Sequence, residues 1–419
     1  MATNTSIPRI VHLAAIIGDS VTKIHEVLSA QNVPTPSFDE DTPTSLPKEV
    51  SDAQDAVLDA TAELFDLLLE PLTLVYKYHG HNNSVCLQAI ARFSIASIVP
   101  FGGQISFADI AKETGLSEQI VVRLIRHAMT MRIFREPEPG IVAHTQASKM
   151  LASPVINDWL KVGSEEMWPA AVKMPYKKWP GSAEPNETGF SLANNTTESI
   201  YTIIGSSPER ASRFSNAMEV FAARPEYDPL YIIDNYDWAS LGPTQVVDVG
   251  GAQGHIAMSL ARRFENLNIL VQDMDKVVEK AELGVPEELK GRVRFMAHDF
   301  FAPQTIQADI FFFRWILHNW SDKYCILILR AQIPVLKRGT RLIIQESCMP
   351  EPGAVALWKE KDLRAEDLNM GAVFNSRERT VNEWAVLLKD ADPRFVLKGV
   401  TEPKGSALGI IEVIWDGVD

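Results

Sequence analysis

The chain has 419 residues, 46% of them hydrophobic and 22% charged, and a formal net charge of −14 at pH 7. That length and apolar content can bury a large core and suit two domains. The acidic balance gives no overall positive field to attract nucleic acid or an anionic membrane. Three cysteines, Cys86, Cys325 and Cys348, are far apart and lack metal-ligand spacing, so they read as buried thiols in a reducing compartment.

In chain order, the N-terminal stretch MATNTSIPRIVHLAAIIGDSV has an apolar patch, but Arg9, His12 and Asp19 interrupt it and no basic segment precedes it. It is therefore not expected to be a signal segment, and no later run approaches the length of a membrane span. The expected location is the cytoplasm. Residues 7–31 and 49–76 carry apolar side chains at helical spacing, separated by VPTPSFDEDTPTSLP, whose prolines and acids do not form a helix. Residues 1–55 thus read as a helical arm with a mobile acidic linker. In YHGHNN, His79 and His81 are two apart, but with no third ligand nearby a solvated turn is the better reading than a metal site.

Residues 56–160 follow the order helix, helix, turn at Gly115, helix, and then a short β pair around EPEPG, which is the order of a winged helix. From 161 to 419 helices continue to Asp237, after which strands and helices alternate. The strands are QVVDVG, NILVQD, RVRFMAHD, ADIFFFRWIL and TRLIIQES, and RFVLKGV and LGIIEVIWDG are close enough to pair as an antiparallel hairpin. Alternation of this kind predicts an α/β, Rossmann-like, seven-stranded sheet covered on both faces. Ligands of such sheets lie beyond the carboxyl ends of the strands, and Asp248, Asp273, Asp299, His318 and Glu346 all fall at or near such ends.

VVDVGGAQGH is a β-branched strand that ends in an acid and then in glycines. Gly250, Gly251 and Gly254 would let a ligand approach the backbone, Asp273 at the end of the second strand can accept both hydroxyls of a ribose, and Asp299 can meet an adenine amino group beside Phe300 and Phe301. A glycine turn that only brings helix and strand together remains an alternative. The pattern is GGAQG rather than GxGxxG and the sheet ends in an antiparallel hairpin, so a compact nucleoside is favoured over NAD or FAD. His255 reads as the first residue of the helix after the turn.

Together with HDFF, FFFRWILHNWSD, LIIQE and NSRERTVNEW, in this order, that turn resembles the S-adenosylmethionine-dependent O-methyltransferases of plants and fungi, most closely the fungal secondary-metabolite members. The resemblance covers nearly the whole chain, KKWPGSAEPNETGF included. It implies a class I methyltransferase domain with a winged-helix-like N-terminal dimerisation domain, a homodimer that swaps its N-terminal helices, and S-adenosylmethionine held by Gly250, Asp273, Asp299, Phe300 and Arg314. Asp248, Gly251 and Gly254 belong to the same turn.

The resemblance also puts a catalytic base at His318 and flanking carboxylates at Glu346 and Glu378. An imidazole near pKa 6.5 can take the proton of a phenol that titrates near 10 as its oxygen attacks the methyl. Read alone, His318 could instead cap the helix that starts near Ser321, and RERT could be an exposed charged turn. Glu346 ends a buried-type strand, where an unpaired carboxylate is unfavourable. The pocket-roof helices of the family fall on EEMWPAAVKMPYKKW and SRFSNAMEVFAAR, so Trp168, Met174 and Met218 are the candidates for contact with a flat aromatic or polyketide-type substrate.

Two other functions compete with methyl transfer. A winged helix can read DNA, but SEQIVVRLIRHAMTM offers only Arg123 and Arg126 where a DNA reader needs a basic face. Some fungal proteins of this fold instead catalyse pericyclic closures or dehydrations with S-adenosylmethionine bound and not consumed. His318 with both carboxylates favours the methyltransferase.

Overall fold

The apolar spacing of the arm folds into one helix, Arg9–Ala30, that packs against a second, Ser51–Leu67. The computed structural model describes residues 7–43, 45–78, 80–175 and 181–417. The expected run 49–76 is broken after Leu67, and a new helix, Pro71–Lys77, starts with proline in its first turn, where the missing N–H carries no penalty. The linker between the arm helices, expected to be mobile, makes contacts with the rest of its unit. Glu40 accepts the backbone N–H of Gly102 at 3.0 Å, Lys149 pairs with Asp41 at 2.8 Å, and the N–H of Gln146 donates to the carbonyl of Phe38. Its acids have found donors in the same unit.

That unit comprises the chain to Trp168 together with Ser207–Val220 and Pro352–Asp362. Its centre is winged-helix-like. Helices His81–Arg92, Ile95–Ile98, Phe107–Thr114 and Glu118–Thr130 enclose Ile90, Ile95, Phe107, Ile110, Val121 and Ile125, and strand β1 (Ile105–Ser106) pairs antiparallel with β2 (Ile141–Val142). Side-chain oxygens of Ser106 and Ser117 cap the last two of these helices, and Gly115 at φ +72° ends the first of that pair. Cys86 is buried in this core, and Cys325 and Cys348 are buried in the other unit. His79 lies outside the described residues, as do residues 177–180 at the start of KKWPGSAEPNETGF.

The second unit comprises Pro169–Ser206, Phe221–Glu351 and Leu363 to the C-terminus. It carries the expected sheet of seven strands: β3 (Thr244–Val249), β4 (Leu267–Asp273), β5 (Val293–Ala297), β6 (Ile310–Arg314), β7 (Arg341–Glu346), β8 (Phe395–Thr401) and β9 (Gly409–Trp415). Their order is β5-β4-β3-β6-β7-β9-β8, parallel except where β9 pairs with β7 and β8. Side chains alternate across the pleat. Val247, Val249, Phe311, Phe313, Leu342 and Ile344 pack against helices Asp322–Gln332 and Val381–Ala391. Val246, Ile269, Val271, Ile310, Phe312 and Ile343 pack against His255–Arg263 and the fully buried Trp238. Burying each of the large side chains contributes about 1.5–3 kcal/mol, so the sheet is a stiff platform for what projects from its edge.

The fourth strand of this sheet was expected over 308–317 and ends at Arg314. Trp315 takes φ +54° and the chain turns away through a short helical turn at Leu317–Asn319. That turn is a hydrogen-bonded structure in its own right.

Candidate active site

The parallel register aligns the ends of four neighbouring strands: Val249 of β3 lies opposite Gln272 of β4 and Phe313 of β6, and Arg314 lies opposite Gln345 of β7. Neighbouring strands are about 4.8 Å apart, so residues just past these ends share one rim. Gly250 and Gly254 have φ of +73° and +72°, a conformation that L side chains rarely adopt. A Cβ on Gly250 would stand 2.4 Å from Ile316 Cδ1, one on Gly251 would stand 2.4 Å from Asp248 Oδ2, and one on Gly254 would stand 2.8 Å from Phe295 Cζ. The glycines are thus required by the protein's own packing as well as by any ligand.

Asp273 closes β4 on this turn. Its Oδ2 accepts the N–H of Ala252 at 2.9 Å and its Oδ1 the N–H of Met274 at 2.7 Å. Each oxygen keeps acceptor capacity, which suits a vicinal diol. Asp299 is exposed, with Oδ1 fixed by the N–H of Phe301 at 2.9 Å, and Phe300 lies beside it with its ring 5.0 Å from that of Phe301. A glycine cradle, a two-oxygen acceptor and an aromatic face next to a free carboxylate oxygen together fit a nucleoside.

Two ionisable groups lie behind the rim, Asp248 buried and Arg314 part-buried. Burial pushes the Asp248 carboxyl up to about 7, with Asp273 adding to the rise and Arg314 opposing it. Arg314 is lowered by burial to about 10, despite nearby acids that raise it. Its guanidinium donates to Gln345 Oε1 at 2.5 Å and to the carbonyl of Tyr227 at 2.7 Å, and lies 4.5 Å from the Trp315 ring centre. Much of its donor capacity is spent on the protein.

His318 sits in the turn after β6. Its Nδ1 is 2.9 Å from Glu378 Oε1, and Nε2 has no hydrogen bond among the described residues. Ser321, whose hydroxyl donates to the carbonyl of Ala183, stands at the N-cap of the following helix, so the imidazole does not cap it. Glu346 behaves differently from Glu378. Its Oε1 accepts the backbone N–H groups of Ile316 and Leu317 at 2.8 Å and of His318 at 3.4 Å, which holds the turn rather than the ring. Glu346 is fully buried and Glu378 nearly so, and in each the Oε2 oxygen lacks a hydrogen-bond partner among the described residues.

These carboxylates set the charge of the imidazole. Burial by itself lowers the His318 pKa, but Glu346 and then Glu378 raise it more, to about 9. Burial raises the Glu346 carboxyl, with His318 opposing that rise. The two carboxylates thus favour the protonated imidazole.

An aromatic cluster stands on the same turn and was not singled out in the sequence. Trp320 stacks with Tyr201 at 6.2 Å and meets Phe301 edge-on at 4.8 Å, and Tyr201 lies 5.7 Å from Phe374. Tyr201 is 47% exposed although burial raises its phenol above the ordinary range. The two observations agree if the ring lines a recess rather than an outer surface. Met174 is 43% exposed in this unit, and its Cε would lie 3.0 Å from a Cβ on Gly371. Trp168, partly buried, and Met218, 38% exposed, belong to the first unit. His255 opens its helix as expected and is exposed. No group of three His, Cys, Asp or Glu suited to a metal occurs among the described residues.

Residues 183–392 match the family model described as an O-methyltransferase domain, and residues 77–154 match the O-methyltransferase dimerisation domain. The chain belongs to the O-methyltransferase family. It is 44% identical to "O-methyltransferase PaMT" of Phomopsis amygdali over 97% of each chain. It is 37% identical to the "Grayanic acid biosynthesis cluster O-methyltransferase" of Cladonia grayi, over 98% of this chain and 88% of that one. With the chlorophenol O-methyltransferase of Trichoderma longibrachiatum it shares 35% over 99% and 92%. Among solved structures, OxaC with sinefungin and meleagrin aligns at TM-score 0.74, and LepI with S-adenosylmethionine at 0.72, each at 20% identity and covering 96% of this chain and 99% of the other. At that identity the likeness is one of fold. S-adenosylmethionine is the cofactor of the O-methyltransferases, and the glycine cradle with Asp273 fits it.

Proposed function

We propose that this O-methyltransferase methylates a phenolic oxygen of an aromatic or polyketide-type secondary metabolite, with His318 as general base. The observation that carries the reading is the His318–Glu378 pair at the rim it shares with the glycine turn. Bound S-adenosylmethionine supplies a methyl on a sulfonium, and Gly250, Gly251, Gly254, Asp248, Asp273, Asp299, Phe300 and Arg314 are the residues assigned to hold it.

For the substrate, the new bond is oxygen to methyl carbon, the bond lost is carbon to sulfur, and the phenol proton goes to Nε2 of His318. In the neutral imidazole, the reactive form that grows as pH rises toward 9, Glu378 accepts a hydrogen bond from Nδ1–H, so that Nε2 carries the lone pair, and it then stabilises the imidazolium. Glu346 keeps the backbone of the turn in place. The base contributes a modest factor, and alignment of the reacting atoms supplies more. Trp168, Met174 and Met218 are assigned to the substrate, and Tyr201 and Trp320 add a flat wall for an aromatic ring.

A homodimer formed through the dimerisation domain and the N-terminal arm completes the reading. A second function, pericyclic closure with the cofactor unconsumed, draws on one observation. With its pKa near 9 the imidazole is a hydrogen-bond donor at neutral pH, and a donor is what a pericyclase would need. His318→Ala separates base from scaffold. The expected result is loss of methylation by about 10²–10⁴-fold with S-adenosylmethionine affinity unchanged in calorimetry. Loss of both together would make His318 a structural residue.

A further inference from the structure

We propose that Arg379 is a positioning residue, one that keeps His318 and Glu378 in register by gripping the backbone on both sides of the histidine. The inference rests on His318 being the base. Arg379 follows Glu378 directly, is fully buried, and engages every N–H of its guanidinium. Nε and Nη2 donate to Asp322 Oδ1 at 2.9 and 2.7 Å, Nη2 also donates to the carbonyl of Trp320 at 3.0 Å, and Nη1 donates to the carbonyls of Leu317 at 3.3 Å and Arg377 at 3.5 Å. Leu317 and Trp320 bracket His318 in sequence. The planar fork of an arginine can hold two carbonyls and a carboxylate at once, whereas an ammonium is a point donor.

The segment that carries Glu378 is fixed independently of His318. Thr380 and Glu383 form a capping box on the helix Val381–Ala391, Arg377 bonds Asp322 at 2.8 Å and Glu383 at 2.6 Å, and the N–H of Met349 donates to the carbonyl of Arg379 at 2.9 Å just beyond β7. At its other end the Ser376 hydroxyl lies against the carbonyls of His318 and Trp320. Arg379 and Ser376 therefore join the two backbone segments on which base and carboxylate stand. If that join loosens, the 2.9 Å contact between His318 and Glu378 depends on more distant ties, Glu346 under the histidine turn and Met349 and Arg377 beside the glutamate. By charge alone Arg379 opposes protonation of His318, so its place beside the imidazole is accounted for by the carbonyls and the carboxylate it bonds.

The pH dependence of turnover distinguishes positioning from mere stability. The charged groups around His318 are Glu346 from β7, Glu378 and Arg379 from the segment before the helix, and, through these, Asp322 and Asp367. Arg379→Lys keeps the positive charge and removes the fork. The expected result is a fall in kcat of roughly ten- to a hundredfold with the S-adenosylmethionine KM unchanged, and an acid limb moved down by about one pH unit, since His318 would lose contact with its acid. Arg379→Gln gives the control for charge: positioning moves the limb down, whereas a purely electrostatic role moves it up. In a Glu378→Gln background Arg379→Lys should leave the limb where Glu378→Gln alone puts it.

A native limb and native kcat in Arg379→Lys, with only the melting temperature lowered, would overturn the proposal. An upward limb in Arg379→Gln would do the same. Should neither variant fold, Ser376→Ala, which removes the second tie, is expected to shift the limb down, and an unmoved limb there would refute the join. Activity surviving in His318→Ala would show that the underlying reading had failed rather than the positioning.

Discussion

Glu378 Oε1 stands 2.9 Å from His318 Nδ1, whereas Glu346, the other carboxylate of the motif, spends its Oε1 on three backbone N–H groups of the same turn. The two acids therefore have separable roles. Glu378→Gln is expected to lower kcat and leave the unfolding free energy close to native. Glu346→Ala leaves buried N–H groups without an acceptor and is expected to destabilise the fold by about 3 kcal/mol, read in chemical denaturation. Equal stability losses in both variants would contradict this division.

The pH profile follows from the sign of the His318 shift. Its pKa is raised from 6.5 to about 9, so the base form grows tenfold per pH unit below that value, and kcat/KM should climb toward pH 9 and then level. The same shift stabilises the folded state fully below about pH 6.5, and that contribution is lost as pH rises through 9. A kcat/KM that is flat from pH 6 to 9 would mean that the imidazole proton does not matter to the reaction.

Cofactor affinity should depend on Asp273. Replacing it with Ala is expected to weaken S-adenosylmethionine binding by about 2–4 kcal/mol, the value of a lost pair of charge-assisted hydrogen bonds. Calorimetry on the variant, checked against its melting temperature without cofactor, reads this directly. Native affinity would move the ribose away from the end of β4.

Dimerisation should depend on the exposed segment that follows the arm, around the helix Pro71–Lys77. Leu68, Leu72, Val75 and Tyr76 are each at least 69% exposed, an apolar patch that a lone soluble chain rarely displays. The wild-type protein is expected to sediment as a dimer and Leu72→Glu/Val75→Glu as a monomer. A wild-type monomer would remove that segment from any interface.

The sheet was legible because its signals are local. The β-branched and aromatic runs of Val246–Val249 and Ile310–Phe313, the glycines after Asp248 and the histidine after β6 each show in a few consecutive residues. The parts that were not legible rest on side chains bonded to distant backbone. Nothing in RERT distinguishes an exposed charged turn from one in which Arg379 is buried against the carbonyls of Leu317 and Trp320. Likewise Trp315 extends an apolar strand in residue type, yet it turns to φ +54°, where Glu346, thirty residues beyond Ile316, holds the next N–H groups. The tie from Glu40 in the acidic linker to Gly102 is of the same kind.

The central claim is that the cofactor methyl moves. The most direct measurement is to incubate the purified protein and S-adenosylmethionine with intermediates of its native pathway, and to follow product mass together with S-adenosylhomocysteine. The account predicts a product heavier by one methyl and an equimolar amount of S-adenosylhomocysteine. A product of unchanged mass, or one short of water, with no S-adenosylhomocysteine formed, would contradict it and assign this site to pericyclic chemistry.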